Sequence, residues 1–210
     1  MIRLAIPRGR LFSESVDLLH SKGILKERIE EGRRLTVEVG GIVLLLVKPF
    51  DVPVYVENGT ADLGVCGLDV FMEKEPDVYR FLDLGIGSCR ISVAGKPESE
   101  EKYYRSSHIK IATKYPRITR RFFSRRGVKV DLLNLSGSVE LAPLLGLSDF
   151  IVDLVQTGRT LRENGLVEIE EIDRSTAWLI CNRSSFRNRR EEILEILRTL
   201  SASGRGSQTR

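Results

Sequence analysis

Residues that could bind a phosphorylated sugar lie in the stretch IVDLVQTGRTLRENG, residues 151–165. Its apolar start is typical of a buried strand, and LRENG is typical of a helix that ends at a glycine. Between them lie Asp153, Thr157, Gly158 and Thr160. Main-chain N–H groups at a helix start have no partners within the helix, and the helix dipole favours an anion there. The pattern therefore suits a ribose 5-phosphate, with the phosphate on the turn and the sugar hydroxyls on Asp153.

The same residue types also have ordinary structural roles. Thr and Gly are common in turns and helix caps, and Asp often ends a strand. Gly158 could allow a ligand to approach the main chain closely, or it could simply make a tight turn. Composition alone leaves both interpretations open.

Charged residues also follow other segments that are predicted to be strands. Arg8 and Arg10 flank Gly9 directly after RLAIP, where they could neutralise phosphates or be solvated. Asp69 follows the strand ADLGVC and a glycine, so it could cap the next helix or contact a nucleotide. Glu140 opens a segment typical of a helix, whose dipole favours an acid in the first turn.

Composition argues against several other kinds of site. Cys66, Cys89 and Cys181 form no Cys-x-x-Cys pair and lie in apolar segments, which favours buried thiols over disulfides or zinc. His20 and His108 are the two histidines of the sequence, so a His-based metal site or a Ser-His-Asp triad is poorly supported. An 18-residue apolar run and the apolar core of a signal peptide are both absent from the sequence, which predicts a cytoplasmic protein without a membrane span.

The net charge of +4 is concentrated at one end of the chain. Residues 183–210 contain seven Arg and three Glu, which accounts for the whole excess, so the remainder is balanced and nucleic-acid binding is not expected. A second basic segment, PRITRRFFSRRG, is predicted to be a helix with Ile118 and Phe122 on its buried face. Its arginines would then be solvated or lie in a subunit interface.

Predicted strands and helices alternate along the chain, which favours parallel sheets covered by helices. RLTVEV and IVLLLV, separated by Gly40–Gly41, predict a hairpin. The change of character near residues 88–96 predicts a domain boundary, and TAWLICN is predicted to return the chain to the first half. We therefore expect two hinged α/β domains with a cleft between them, as in type II periplasmic binding proteins. Residues 1–88 with 183–210 would form the first domain, 89–182 the second, and 201–210 a disordered tail.

Several segments, in order along the chain, resemble the ATP phosphoribosyltransferase family. IVDLVQTGRTL resembles its phosphoribosyl-pyrophosphate loop, and LSGSVELAPLLGLSD contains its Gly-x-x-Glu-x-Ala-Pro pattern. Ordinary type I phosphoribosyltransferases usually carry two adjacent acids, whereas Asp153 is followed by Leu154. AIPRGRL, KPFDVPVYVENGTADLGVCGLDV and IATKYP extend the resemblance over nearly the whole chain. The chain ends soon after its last predicted helix, so it resembles the short form, which lacks a histidine-binding domain.

The resemblance implies transfer of a 5-phosphoribosyl group from phosphoribosyl pyrophosphate to N1 of ATP, with release of pyrophosphate, in the first step of histidine biosynthesis. It implies phosphoribosyl-pyrophosphate contacts by Asp153, Thr157, Gly158, Arg159, Thr160 and Leu161. It implies nucleotide or pyrophosphate contacts by Arg8, Gly9, Arg10, Lys48 and Asp69. Lys48 stands where the family is expected to have Arg; it keeps the charge but loses the bidentate hydrogen bonds. Glu140 is the candidate catalytic residue, contacting ribose or orienting the adenine amine rather than acting as a general base.

The resemblance also implies a cofactor and a partner. Mg²⁺ is expected on the substrate's pyrophosphate, and no protein residue is assigned as its ligand. Dimeric catalytic units are expected to assemble with a regulatory subunit that resembles a histidyl-tRNA synthetase. Two other classes compete with this interpretation. A solute-binding protein would share the two domains but not need the ribose-phosphate loop, and a nucleic-acid binder would show salt-sensitive affinity.

Overall fold

The computed structural model describes residues 1–202 and divides into two compact α/β units. The first unit contains Met1–Gly87 and the chain from Thr176 onward, and the second contains Ser88–Ser175. Each unit has its own sheet with helices packed on it, so each is described separately.

The sheet of the first unit places the ends of three parallel strands at one edge. Its strands are β1 (Ile2–Pro7), β2 (Thr36–Val39), β3 (Ile42–Val47), β4 (Leu63–Gly67), β5 (Tyr79–Asp83) and β11 (Ala177–Cys181). Their order is β2-β3-β1-β4-β11-β5. Strands β3, β1 and β4 are parallel, whereas β2 and β11 pair antiparallel with their neighbours. The residues that follow β1, β3 and β4 therefore meet at the same edge of the sheet.

Helices cover both faces of this sheet through two separate apolar clusters. The helices are α1 (Arg10–Ser21), α2 (Val52–Glu57), α3 (Leu68–Lys74), α8 (Arg183–Asn188) and α9 (Arg190–Ser201). Phe12 and Val16 of α1 and Ile193 of α9 pack in one cluster with strand residues such as Leu44. Residues of α2 and α3 pack in another cluster around Ile180. Burial of these side chains holds α1 and α9 against the sheet.

The sheet of the second unit is also mixed. Its strands are β6 (Cys89–Gly95), β7 (His108–Thr113), β8 (Lys129–Asn134), β9 (Phe150–Val155) and β10 (Val167–Ser175), in the order β10-β6-β9-β7-β8. Strand β7 lies parallel to β8 and β9, and β6 pairs antiparallel with β9 and β10. The segments that follow β8 and β9 therefore leave the same edge of this sheet.

Four helices belong to the second unit. They are α4 (Glu100–Arg105), α5 (Pro116–Arg125), α6 (Leu141–Leu144) and α7 (Arg159–Glu163). Ala142 of α6 and Leu161 of α7 are buried in one apolar cluster with Ile151 and Val155 of β9. This shared cluster fixes both short helices beside the strand that carries Asp153.

The predicted hairpin is confirmed, because β2 and β3 pair antiparallel around Gly40–Gly41. The second domain boundary differs from the expected position between residues 182 and 183. Strand β11 pairs with β4 and β5, so the chain returns to the first unit at Ser175–Thr176. Ser201, which was predicted to belong to the disordered tail 201–210, is instead the last residue of α9; residues 203–210 lie outside the described residues.

Two helix predictions also need correction. Phe123, rather than Phe122, is buried beside Ile118 on α5. The helical segment that Glu140 was predicted to open is confined to the four residues of α6. Among residues 1–202, no helix is long and apolar enough to cross a membrane.

Candidate functional site

The turn between β9 and α7 has the geometry expected of a strand–glycine–helix site. Strand β9 ends at Val155, and α7 begins at Arg159. Gly158 precedes the helix with φ 70° and ψ 8°, in the left-handed region that favours glycine. A Cβ at this position would lie 3.1 Å from Nη1 of Arg162. The backbone angle therefore favours glycine at residue 158, whereas the exposed Arg162 side chain would have to shift only slightly for a larger residue.

The main chain of this turn presents donors that the described residues leave unused. The amides of Gly158, Thr160 and Leu161 have no hydrogen-bond partner among residues 1–202. The amide of Arg159 makes only a long contact, 3.4 Å, with the Thr157 hydroxyl oxygen. Thr157 and Thr160 are exposed. Their hydroxyls can therefore add donors to the main-chain amides, and the turn can accept an anion.

Asp153 lies within β9, two residues before the strand ends, rather than at the end as the sequence predicted. It is opposite Ser92 of β6, and its side chain is partly exposed. One carboxylate oxygen accepts a hydrogen bond from the amide of Leu154 at 2.9 Å. The strand continues because Leu154 and Val155 remain in the ladder with β6. A carboxylate has two oxygens with about four acceptor sites, which suits the two hydroxyls of a diol.

Two other predicted loop residues have structural contacts. The Arg159 guanidinium donates to Glu163 at 2.7 Å, four residues along the exposed face of α7. Leu161 is 6% exposed and packs in the apolar cluster beneath the turn. The Leu161 side chain therefore holds the helix against the core, and only its main-chain amide remains as a possible donor to a ligand.

Glu140 immediately precedes α6 instead of lying in its first turn. Ser138, two residues earlier, has φ 48°, which is unusual for a residue other than glycine. The Glu140 side chain is partly exposed, and its carboxylate has no hydrogen bond or ion pair within the described chain. Because β8 and β9 are both parallel to β7, the segment with Glu140 and the Gly158 turn leave the same sheet edge.

In the first unit, Arg8 and Gly9 connect β1 to α1. Gly9 has φ 78° and ψ −138°, and α1 begins at Arg10. The Arg8 guanidinium donates from Nη2 to the carbonyl oxygen of Arg34 at 2.6 Å and from Nε to that of Leu46 at 3.3 Å. Arg8 is thus held by neutral carbonyl groups beside the start of α1.

Protein groups also hold Gly9 and Arg10. The Gly9 amide donates to both carboxylate oxygens of Glu31, at 3.1 and 3.2 Å. The Arg10 guanidinium donates to the carbonyl oxygen of Gly87 at 3.0 Å, and Glu14 accepts from the Gly87 amide at 2.7 Å. The Gly9 amide and the Arg10 guanidinium therefore both have hydrogen-bond partners within the chain.

Lys48 and Asp69 follow the other two parallel strands of this sheet. Since Pro7 is in register with Val47, Arg8 and Lys48 leave neighbouring strands side by side. Lys48 is exposed. Asp69 is 4% exposed in the first turn of α3, and a Cβ on Gly67 would lie 2.3 Å from its Oδ1. The burial of Asp69 is typical of a structural acid at a helix start.

Glu31 was missed by sequence reasoning. It lies 22 residues from Gly9 in the segment between α1 and β2, and the spacing of neighbouring residues shows no sign of that contact. Glu14 and Gly87 were missed for the same reason, since 73 residues separate them. Residues 1–202 contain no group of three or more His, Cys, Asp or Glu placed to hold a metal ion.

Comparison with known proteins finds one family throughout most of the chain. A family model described as ATP phosphoribosyltransferase matches residues 48–202. A curated ATP phosphoribosyltransferase from Aquifex aeolicus (strain VF5) is 66% identical over 200 residues, which cover 95% of this chain and 94% of the relative. The sequence matches therefore include both the Gly158 turn and the segment around Lys48.

Solved structures show the same relationship and the wider fold. The ATP phosphoribosyl transferase (HisG:HisZ) complex from Thermotoga maritima aligns with a TM-score of 0.80 and 37% identity, covering 96% of this chain and 98% of that one. The periplasmic aliphatic sulphonate binding protein SsuA from Escherichia coli aligns with a TM-score of 0.62 and 14% identity, over 96% of this chain and 67% of that one. The second likeness shows the fold alone, that of the type II periplasmic binding proteins, as the sequence predicted.

Proposed function

Because the chain belongs to the ATP phosphoribosyltransferase family, we propose that its two strand–glycine–helix turns bind phosphate groups of the reactants. The protein is a pentosyltransferase that moves 5-phosphoribosyl from phosphoribosyl pyrophosphate to N1 of ATP and releases pyrophosphate. This is the first step of histidine biosynthesis. The assignment of individual residues to these substrates is our proposal.

The Gly158 turn is proposed to bind the 5-phosphate of phosphoribosyl pyrophosphate. The observation that carries this proposal is the set of main-chain amides at Gly158, Thr160 and Leu161 without partners among the described residues. They stand at the start of α7, where the helix dipole and the unpaired N–H groups favour an anion. Thr157 and Thr160 would add hydroxyl donors to the phosphate oxygens.

Asp153 is proposed to accept hydrogen bonds from the ribose hydroxyls. It precedes the turn on the same strand, so a sugar joined to a bound 5-phosphate extends towards it. A hydrogen-bonded carboxylate fixes both the position and the orientation of a diol. Arg159 and Leu161 support the turn through Glu163 and the apolar cluster.

Residues of the first unit are proposed to contact the nucleotide or the released pyrophosphate. Arg8, Gly9, Arg10 and Lys48 place three cations and a helix-start amide at one edge of that sheet. Polyphosphates are bound by such combinations of charge and main-chain donors. Asp69 is retained in this group on resemblance, although its burial points to support of α3.

The reaction requires positioning more than proton transfer. Adenine N1 already carries a lone pair, and displacement at the anomeric carbon builds positive charge on the ribose as an anionic group leaves. Aligning the two reactants and stabilising the leaving anion can therefore account for much of the rate. Glu140 is proposed to contact ribose or the adenine amine, because the segment that carries it follows β8 and leaves the same sheet edge as the Gly158 turn.

The family uses a divalent metal ion, and we propose that Mg²⁺ enters with the substrate. Carboxylate oxygens such as that of Asp153 are hard ligands that fit this ion, and a pyrophosphate supplies further oxygens. When bound, the ion would neutralise charge on the leaving pyrophosphate. The residues of this chain then bind and orient the sugar and its phosphate.

We also propose a hetero-oligomer. The Thermotoga maritima structure is a HisG:HisZ complex, and 98% of its aligned chain is covered by this one. The partner would be a regulatory subunit resembling a histidyl-tRNA synthetase, assembled on dimeric catalytic units in the cytoplasm. Copurification with the cognate subunit and a mass measurement would test this assembly.

The activity is tested by mixing the protein with ATP, phosphoribosyl pyrophosphate and Mg²⁺ and recording the ultraviolet absorbance of N1-phosphoribosyl-ATP. The regulatory subunit is added if the chain alone is inactive. Formation of the product is expected, and its absence even with the partner present would remove the proposed function.

The site assignment is tested separately with Asp153→Ala. Asp173→Ala is the matched control, since Asp173 likewise accepts a hydrogen bond from the amide of the next residue on a strand, at 2.8 Å. Asp153→Ala should bind phosphoribosyl pyrophosphate about tenfold more weakly, because a charge-assisted contact to the sugar is lost. Equal affinity in the two folded variants would show that Asp153 does not bind the ribose hydroxyls.

A further inference from the structure

We propose that the Glu31 carboxylate competes with a substrate polyphosphate for the Gly9 amide at the start of α1, and so lowers the affinity of the enzyme for that polyphosphate. The inference rests on the proposed function, which places Arg8, Gly9 and Arg10 at the nucleotide or pyrophosphate. It adds a residue, Glu31, that neither the sequence motifs nor the family resemblance indicated.

The contact itself is direct. Both oxygens of the Glu31 carboxylate accept from one N–H group, that of Gly9, at 3.1 and 3.2 Å. The side chain comes from an exposed segment between α1 and β2. A carboxylate at a helix start has the charge and the acceptor oxygens that a phosphate has. Glu31 therefore fills the position that the proposed function gives to a ligand oxygen.

The helix explains why an anion is favourable here. Helix α1 has 12 residues, and within this fully described helix the first turn contains no acidic residue. Gly9 supplies no side-chain cap. The positive end of the helix dipole is thus balanced by a residue 22 positions away in the sequence.

Neighbouring cations make the position attractive to a more highly charged ligand. The Arg8 guanidinium contacts the carbonyl oxygens of Arg34 and Leu46, which are neutral and leave its positive charge uncompensated by those contacts. Arg10 begins α1. A di- or triphosphate carries several negative charges, whereas the Glu31 carboxylate carries one. The polyphosphate would therefore displace Glu31, and its apparent affinity would be reduced by the cost of breaking the Gly9–Glu31 contact.

The adjacent residue provides a matched control. Glu30 is also exposed, carries the same charge and belongs to the same segment, but no hydrogen bond or ion pair joins it to the described residues. Removing either carboxylate changes the net charge equally. A difference between the two variants therefore isolates the contact with Gly9 from the general electrostatic effect.

The experiment measures binding of pyrophosphate, and separately of ATP, by isothermal titration calorimetry. The proteins are the wild type, Glu31→Gln, Glu31→Ala and Glu30→Gln, each as the full chain and each checked by thermal melting. Glu31→Gln should bind pyrophosphate, ATP or both about two- to fivefold more tightly than Glu30→Gln, as expected for one exposed charge at a helix end. Glu31→Ala should change affinity in the same direction, and the gain should shrink at high salt.

The two ligands distinguish the source of the phosphate. A gain for pyrophosphate alone assigns the position to the leaving group, and a gain for ATP alone assigns it to the nucleotide. If Glu31→Gln and Glu31→Ala bind both ligands no more tightly than Glu30→Gln, the competition is refuted. Normal phosphoribosyl transfer by the wild type in that case would leave the proposed function standing.

Discussion

The turns at Gly158 and Gly9 are built on the same plan but are satisfied differently. Each follows a strand, each has a glycine with a positive φ, 70° and 78°, and each begins a helix. At Gly158, main-chain amides have no partner among residues 1–202. At Gly9, the amide is held by Glu31 and the flanking arginines are held by carbonyl groups.

The two turns show that local geometry and the availability of hydrogen-bond donors are separate properties. Local sequence can specify a strand, a glycine and a helix, and these suffice to point donors at one place. Whether the donors are available depends on residues far away in the sequence. The second unit thus presents main-chain amides that are unpaired among residues 1–202, whereas the ligand proposed for the first would have to replace the Gly9–Glu31 contact.

The largest loss of affinity should come from distorting the turn between β9 and α7 with Gly158→Val. A β-branched residue at φ 70° is strained, so the main chain should relax and move the amides from their present positions. We expect about a hundredfold weaker binding of phosphoribosyl pyrophosphate, the size of effect that follows the loss of a hydrogen bond to a charged group. Calorimetric titration of the folded variant measures this.

Gly165→Val is the control for backbone strain. Gly165 lies just beyond the other end of α7 with φ 68°, and a Cβ there would meet no atom within 4 Å. The unfolding free energy of the Gly165→Val variant should fall by about 1–2 kcal/mol, the cost of a left-handed conformation for a residue other than glycine. Its affinity for phosphoribosyl pyrophosphate should be retained. Equal losses of affinity in both variants would mean that the turn at Gly158 has no special role.

Gly87 contacts α1, the helix that begins at the Gly9 turn, through Arg10 and Glu14. Substituting Gly87 should disturb this packing. A Cβ there would lie 2.1 Å from Cδ2 of Leu11, and the residue has φ 68°. Gly85, with φ 67°, has no neighbour within 4 Å of its Cβ position. Gly87→Ala should lower the unfolding free energy by about 2–3 kcal/mol and Gly85→Ala by about 1 kcal/mol, because only the first adds a clash to the backbone strain.

Denaturant unfolding of the two alanine variants measures this difference. The comparison matters because Arg10 and Glu14 of α1 hold the carbonyl and amide of Gly87. If Gly87→Ala were as stable as Gly85→Ala, α1 would not be packed against Gly87 as described.

Acid should loosen the second unit through its paired carboxylates. The Arg90 guanidinium and then Ser92 donate hydrogen bonds to Glu168, which lowers its pKa despite partial burial. Burial opposes ionisation of Glu170, but hydrogen bonds from Arg126 and Tyr103 outweigh it, so this pKa is also lowered. Folded pKa values below the unfolded value of about 4.3 stabilise the protein above that pH, and the stabilisation is lost as pH falls through the folded values.

Hydrogen exchange at pH 5 and at about pH 3 tests this expectation, after correction for intrinsic exchange. Amides of β6 and β10 should lose protection at the lower pH, because Glu168 and Glu170 pair across those strands and to α5. The effect should be smaller in Glu168→Gln, which has already lost one acid-dependent contact. Unchanged protection in the wild type would contradict the stabilising role of these pairs.

The sequence predicted the order of the local elements, but it did not predict their bounds or the contacts between distant segments. The order β9, glycine turn, α7 could be predicted because a short apolar run, Gly158 and a helix follow one another. The β2–β3 hairpin could be predicted from Gly40–Gly41 for the same reason. The contact of Glu31 with Gly9 could not, since 22 residues separate them.

The spacing of apolar residues along the sequence also predicted only part of the burial pattern. Both Phe122 and Phe123 are apolar, but the Phe122 ring lies 4.2 Å beneath the Arg126 guanidinium, and Phe123 enters the core. The return of the chain at Ser175–Thr176 depends on the pairing of β11 with β4 and β5, which are distant in sequence. These features depend on which elements become neighbours rather than on local pattern.

The proposed phosphate site consists chiefly of the main-chain amides of the Gly158 turn. Titrating phosphoribosyl pyrophosphate into ¹⁵N-labelled protein and following the amides of Gly158, Thr160 and Leu161 by NMR tests them directly. We predict that these three signals shift together and saturate with the same dissociation constant as calorimetry gives. Tight binding of the ligand with all three signals unmoved would contradict the assignment.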